Sequence, residues 1–188
     1  MKKLLLSTLL ATAMTSAMGA EYLLDTKGAH AAIQFKVSHL GYSWNVGRFN
    51  TFDGTLDYDS AKPGAMKVKV EVQTDSVDSN HAERDKHLRS SDFLDVKQFP
   101  TATFISTGYT AKDTMHGTLT GNFTLHGVTK PISIDVTKLG EGKDPWGGYR
   151  VGFTGTAKFS MKAFGIEKSL GPKSDTVYLT LQAEWIRK

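Results

Sequence analysis

An all-β, antiparallel fold is predicted for this chain of 188 residues by three observations. Eight stretches alternate apolar and polar residues or are rich in β-branched and aromatic side chains: 31–38, 46–58, 66–74, 101–109, 115–125, 130–138, 149–161 and 176–186. Short turn-rich segments part most of them. Only one stretch, NHAERDKHLRSSDFL at 80–94, carries the residue types and spacing of a helix.

The strands follow in order. In 31–38, Ile33, Phe35 and Val37 share one face while Gln34, Lys36 and Ser38 share the other. In 46–58 the apolar face carries Phe52, Gly54 and Leu56, and in 66–74 Val68, Val70 and Val72 oppose Lys67, Lys69 and Glu71. Then comes the helical stretch, followed by TATFIST opening 101–109. Leu119, Gly121 and Phe123 mark the dry face of 115–125, which ends at the turn His126–Gly127. Ile132, Ile134 and Val136 form the next dry face, and the turn at Trp146–Gly147–Gly148 leads into Phe153, Gly155 and Ala157. The last face is Val177, Leu179, Leu181, Ala183 and Trp185. One dry and one wet face per strand is the signature of antiparallel rather than buried parallel sheet. Eight such strands can form a sandwich or a closed barrel, and only the barrel removes both exposed edges. Gly54, Gly121 and Gly155 each leave out a side chain mid-strand on the dry face. Such glycines serve strand bending at barrel corners, space for a long apolar ligand, or both.

The first nineteen residues read as a secretory signal peptide: Lys2 and Lys3, a short apolar run, then small residues at Ala17 and Gly19, with cleavage after Gly19 or Ala20. The apolar run falls short of the ~20 residues that span a bilayer. A single domain at 20–188 remains. The chain has no cysteine, which excludes disulfides, thiolate metal sites and a diacyl-cysteine anchor. The formal charge of +4 falls to +2 without Lys2 and Lys3, and the other basic residues are interleaved with acidic ones, so nucleic acid is not an expected partner. The bacterial periplasm is the expected location.

Six segments, VSHLGYSWNVGRFNTFDG (37–54), NHAERDKHLRSSDFLD (80–95), FPTATFIS (99–106), LTGNFTLHGVTKPI (119–132), DPWGGYRVGF (144–153) and FSMKAFGI (159–166), resemble the characteristic segments of the YceI-like family of periplasmic proteins. The resemblance implies an extended, lipocalin-like, eight-stranded antiparallel barrel with one short inserted helix. It also implies an interior tunnel for a polyisoprenoid chain such as an isoprenyl quinone or isoprenyl phosphate tail. It brings no catalytic residue set and no cofactor; the bound isoprenoid lipid is the ligand.

Alternation names the residues expected to line that interior: Ile33, Phe35, Val37, Phe52, Leu56, Val70, Leu119, Phe123, Ile134, Val136, Phe153, Phe159, Leu179 and Leu181, with Gly54, Gly121 and Gly155 making space. The helical stretch is expected to start at Asn80 with Glu83 at capping-box spacing. It is expected to lie across a barrel end pinned by Leu88, Phe93 and Leu94, with Arg84 and Asp85 bonded to neighbouring loops. Arg84 and Lys86 are the candidates for a gate or an anionic-headgroup contact. The competing class is an enzyme or metalloprotein using His81, Asp85, Glu83 and His87, though these offer two ligands per pair where closed sites need four. A third reading is a packed barrel acting as an interaction module. The WNVGRF segment at 44–49 fits either a turn that packs its own tryptophan or a transient membrane contact. The sequence leaves oligomeric state open, a homodimer included.

Overall fold

The computed structural model describes residues 19–168, 170–171 and 173–188, so the predicted leader, Gly19 apart, lies outside the described residues. The chain forms β1 (Ala20–Leu24), β2 (Ala31–His39), β3 (Ser43–Phe49), β4 (Phe52–Tyr58), β5 (Lys67–Gln73), β6 (Val77–Asp78), helix α1 (Ala82–Leu88), β7 (Thr101–Ala111), β8 (His116–Leu125), β9 (Val128–Lys143), β10 (Tyr149–Ser160) and β11 (Thr176–Arg187). All pairings are antiparallel, in the order β1-β4-β5-β7-β8-β9-β10-β11-β2-β3-β6, and β1 also pairs with β11.

These eleven segments fill eight positions of a closed barrel. β1 and β2 both pair with β11, at Trp185–Arg187 and Val177–Ala183 respectively, so they are two parts of one staved position separated by the excursion at 25–30. The predicted strand 46–58 likewise divides into β3 and β4: Asn50 N–H donates to the Ser76 carbonyl, and β3 turns to β6 while β4 pairs with β5. Register shifts at Ser106/Gly108, where β7 carries the extra residue, and opposite Gly152/Phe153, where β9 carries it as Leu139, are bulges that tighten the coiling needed for closure.

The dry faces converge in two clusters along the barrel axis. One holds Tyr22, Leu56, Tyr58, Met66, Phe104, Leu119, Val151, Phe153 and Trp185. The other, at the end carrying α1, holds Phe93, Leu125, Met161, Phe164, Ile166 and Val177, with Leu88 and Leu94 packed on it. Phe123, Phe159 and Phe164 stack there with all three centroid separations at 5.3 Å.

Helix α1 begins one residue later than its sequence suggests. Asn80 takes a left-handed φ of 59° as its N–H bonds the Asp78 carboxylate, and His81 becomes the cap, its Nδ1 accepting the Arg84 N–H at 3.2 Å. Glu83 is exposed, and the expected capping box with Asn80 does not form. With about two turns of apolar-poor helix, tertiary bonds hold the segment rather than a greasy stripe. Asp85 is buried and accepts from the Ser79 N–H at 2.8 Å, while Arg89 donates to the carbonyls of Asp75 and Val77 at 2.6 Å each.

The barrel interior as candidate binding site

A cavity of about 230 Å³ runs inside the barrel between the two clusters. Native interiors seldom leave voids larger than a water molecule, so a volume of this size lined by side chains from both ends is a site rather than a packing flaw. No charged side chain lines it. Its polar members are Thr103, Thr154 and Gln182, and Thr154 hydroxyl is already bonded to the Leu181 carbonyl at 3.0 Å. A hydrocarbon chain, branched or not, meets no charge there that it would leave unsatisfied.

The alternation rule places its residues well. Ile33, Phe35, Val37, Phe52, Leu56, Val70, Leu119, Phe123, Ile134, Val136, Phe153, Gly155, Phe159, Leu179 and Leu181 all border the cavity. Gly54 and Gly121 do not, and the space they release is taken by protein. A Cβ on Gly121 would stand 2.4 Å from the Phe104 ring, and one on Gly54 would stand 2.8 Å from the Lys69 carbonyl and 3.3 Å from the Trp185 indole. These two glycines let large rings cross the wall. Gly155, where a Cβ would meet Ile134 at 2.9 Å, is the one of the three that opens on the cavity.

Sequence reasoning omitted several liners. Phe104 and Trp185 continue visible alternations, with Ala102 and with Ala183, and could have been named. Met161 and Ile166 flank a single 3-10 turn at Lys162–Phe164, where no periodicity announces an inward side chain. Leu88, Phe93 and Leu94 close the helix end, as their apolar character suggests.

At the helix, Arg84 and Lys86 part company. The Arg84 guanidinium donates to the Ser79 hydroxyl and carbonyl at 2.7 Å and to Asn45 Oδ1 at 3.1 Å, tying α1 to β3. Its donors are committed to the scaffold, so it positions the cap; Lys86 is exposed. The His81/Asp85 pair faces the same difficulty as a metal or catalytic site, since both groups already serve α1.

Among the described residues one trio, Asp25, His30 and Glu184, brings ligand atoms within 4.8 Å of one another. A cation is already there. Arg150 Nη1 lies 2.6 Å from Asp25 and 2.5 Å from Glu184, and its Nε lies 2.8 Å from Asp144. His30 Nδ1 sits 2.9 Å from the same Asp25 oxygen, and Gly28 N–H donates to the other at 2.8 Å. These bonds, the one to His30 foremost, hold the Asp25 carboxyl down at about 2 against the opposing effect of burial. The cluster clamps the loops at 25–30 and 144–148 onto β10 and β11.

Several large apolar side chains remain outside, three of them together on one hairpin. On the β2–β3 hairpin, Tyr42 is 89% exposed, Val46 61% and Trp44 50%. Trp44 meets Tyr178 edge-on at 5.5 Å, and Lys36 Nζ stands 4.8 Å over its indole. Trp44 therefore leans across β2 onto β11 instead of being packed into its own turn.

Comparison with known proteins agrees with this architecture. The YceI-like domain matches residues 22–185. A UPF0312 protein of Shewanella baltica (strain OS155) is 58% identical over the full length of both chains, and one from Shewanella sp. (strain ANA-3) is 56% identical, again over both full lengths. Among solved structures, the YCEI protein of Campylobacter jejuni is 30% identical with a TM-score of 0.73, covering 81% of this chain and 91% of that one. BcnA of Burkholderia cenocepacia superposes with a TM-score of 0.75 at 19% identity over 86% of this chain and 98% of that one. A polyisoprenoid binding domain from Saccharophagus degradans gives 0.65 at 15% identity, over 89% and 98%. The last two share the fold. Domain match, full-length relatives and barrel together show that the chain belongs to the YceI-like family.

Proposed function

We propose that the barrel holds the hydrocarbon of one long-chain isoprenoid lipid, of quinone or prenyl phosphate type, non-covalently, for transport, storage or sequestration in the periplasm. The observation that carries this reading is the cavity: it extends between both clusters and is lined without a single charge. The polyisoprenoid binding domain of similar fold supports the same ligand class. Each buried methylene contributes about 0.8 kcal/mol, so a five-carbon unit supplies roughly 4 kcal/mol gross. Ordering and immobilising the chain costs ~4–15 kcal/mol, so several units are needed before binding is tight. No step of bond making or breaking is assigned to the protein.

The lysine-led, apolar first nineteen residues support export, and cleavage after Gly19 would leave β1 whole from Ala20. Native mass spectrometry of protein purified without detergent tests the ligand assignment: co-purified isoprenoid supports it, and failure to take up any added isoprenoid overturns it.

The exposed hairpin supports brief contact with a membrane, because Tyr and Trp suit an interface that is wet on one side and apolar on the other. The double substitution Tyr42→Ser, Trp44→Ser is expected to weaken co-sedimentation with phospholipid vesicles about tenfold, or about 1.4 kcal/mol. Undiminished sedimentation would place the contact elsewhere.

A further inference from the structure

The barrel wall has a gap. Pairing of β9 with β10 runs from Lys143 and Tyr149 only as far as Asp135 and Thr156. Yet β9 extends back to Val128, paired throughout with β8, and β10 runs on to Ser160, paired throughout with β11. Over these last residues the two strands face each other without a ladder, as two internal edges. Phe164, from the turn after β10, packs into the region from the helix end.

Outside this gap lies a groove of about 680 Å³. Ile132, Phe159 and Leu179 border both the groove and the interior cavity, so one layer of side chains parts the two. Ala157, the first β10 residue past the ladder with β9, also borders the groove. The rim differs sharply in chemistry from the interior. Three lysines, Lys36, Lys130 and Lys158, come to it from β2, β9 and β10. Lys158 and Lys36 flank Tyr178 in register, which sets their backbones roughly 10 Å apart across two strand spacings. Among the described residues none of the three is in an ion pair. The one carboxylate on the groove, Asp135, is paired with Lys112 at 3.0 Å.

Resting on the reading of the interior as an isoprenoid site, we propose that this gap is a lateral port: the phosphate or diphosphate of a prenyl phosphate sits in the outer groove against Lys36, Lys130 and Lys158, and its tail passes between β9 and β10 into the barrel. The port selects a prenyl phosphate over a neutral prenyl lipid, because ammonium groups bind phosphate oxygens by charge-assisted hydrogen bonds that an alcohol or quinone cannot match.

The test compares geranylgeranyl phosphate, geranylgeraniol and inorganic phosphate on the full chain and on the triple variant Lys36→Ala, Lys130→Ala, Lys158→Ala. The wild type is expected to bind the prenyl phosphate at least about tenfold more tightly than the alcohol at low salt, an advantage that shrinks as salt rises. The triple variant should lose that advantage and keep its affinity for the alcohol. Equal binding of the two by the wild type, or an unchanged preference in the variant, overturns the port and leaves the isoprenoid reading intact. Inorganic phosphate that competes at the same concentration as the prenyl phosphate marks a free-phosphate site and overturns it too. Binding of neither prenyl ligand overturns both. Passage through the wall is read separately with Ala157→Trp, which should slow uptake of geranylgeraniol by about tenfold in a variant whose far-ultraviolet dichroism matches wild type; an unaltered rate in that folded variant places the entrance elsewhere and refutes the port.

Discussion

Replacing Arg150 with alanine is expected to lower the unfolding free energy by about 3 kcal/mol at neutral pH, the loss typical when one member of a buried ion pair is removed. Arg150 faces three carboxylates, and Asp25 is only 4% exposed. Without the guanidinium, Asp25, Asp144 and Glu184 repel one another across the seam where the loop at 25–30 joins β1 to β2. For a domain of this size the thermal midpoint should fall by roughly 6–12 °C. The acid limb follows from Asp25, whose pKa lies near 3.8 unfolded and about 2 folded. Because the folded value is depressed, its contribution is fully present above the unfolded value and disappears as the pH falls through about 2. Urea unfolding between pH 5 and pH 2 should therefore show a loss of stability that Asp25→Asn partly abolishes. A stability for Arg150→Ala within about 0.5 kcal/mol of wild type would contradict the clamp, since that is the range of an ordinary surface substitution.

The second large effect is on binding. Val70 sits on β5, four positions round the eight-membered ring from β10, and its side chain borders the cavity opposite the strand of Gly155. Val70→Trp sends an indole across that space. The fold should survive at a cost of about 1–3 kcal/mol, the usual range for overpacking, because free volume already exists there. Lipid should not: occupancy is expected to fall from about one per chain to none, with the far-ultraviolet dichroism unchanged. Full occupancy in a folded Val70→Trp protein would show that the hydrocarbon lies elsewhere.

Period-two alternation made most of this legible in advance. Ile33-Phe35-Val37 and Val177-Leu179-Leu181 needed only the strand period to be placed against the interior, because one face of each strand must be dry in a closed barrel. What alternation cannot report is the partner across the wall. Gly121 reads as a missing side chain, and only the position of Phe104 shows that the omission is filled. β1 is five residues next to a leader-like segment, too short to stand out, and it becomes a strand because β4 and β11 offer two edges to it. Asn80 has the composition of a cap, but Asp78 captures its N–H and moves the cap to His81. The Arg150 clamp shows only its local half, Asp144, in the sequence, since Asp25 lies 125 residues away in the chain. The gap between β9 and β10 is equally invisible, as both strands read as continuous and part only in space.

The central claim is that the charge-free interior holds an isoprenoid chain. Native mass spectrometry of the protein from its own cells, prepared without detergent and followed by organic extraction, tests it most directly. The account predicts about one bound lipid per chain, its extracted species differing by whole isoprene units. A bare polypeptide mass that persists after incubation with both a long-chain quinone and a prenyl phosphate would contradict it.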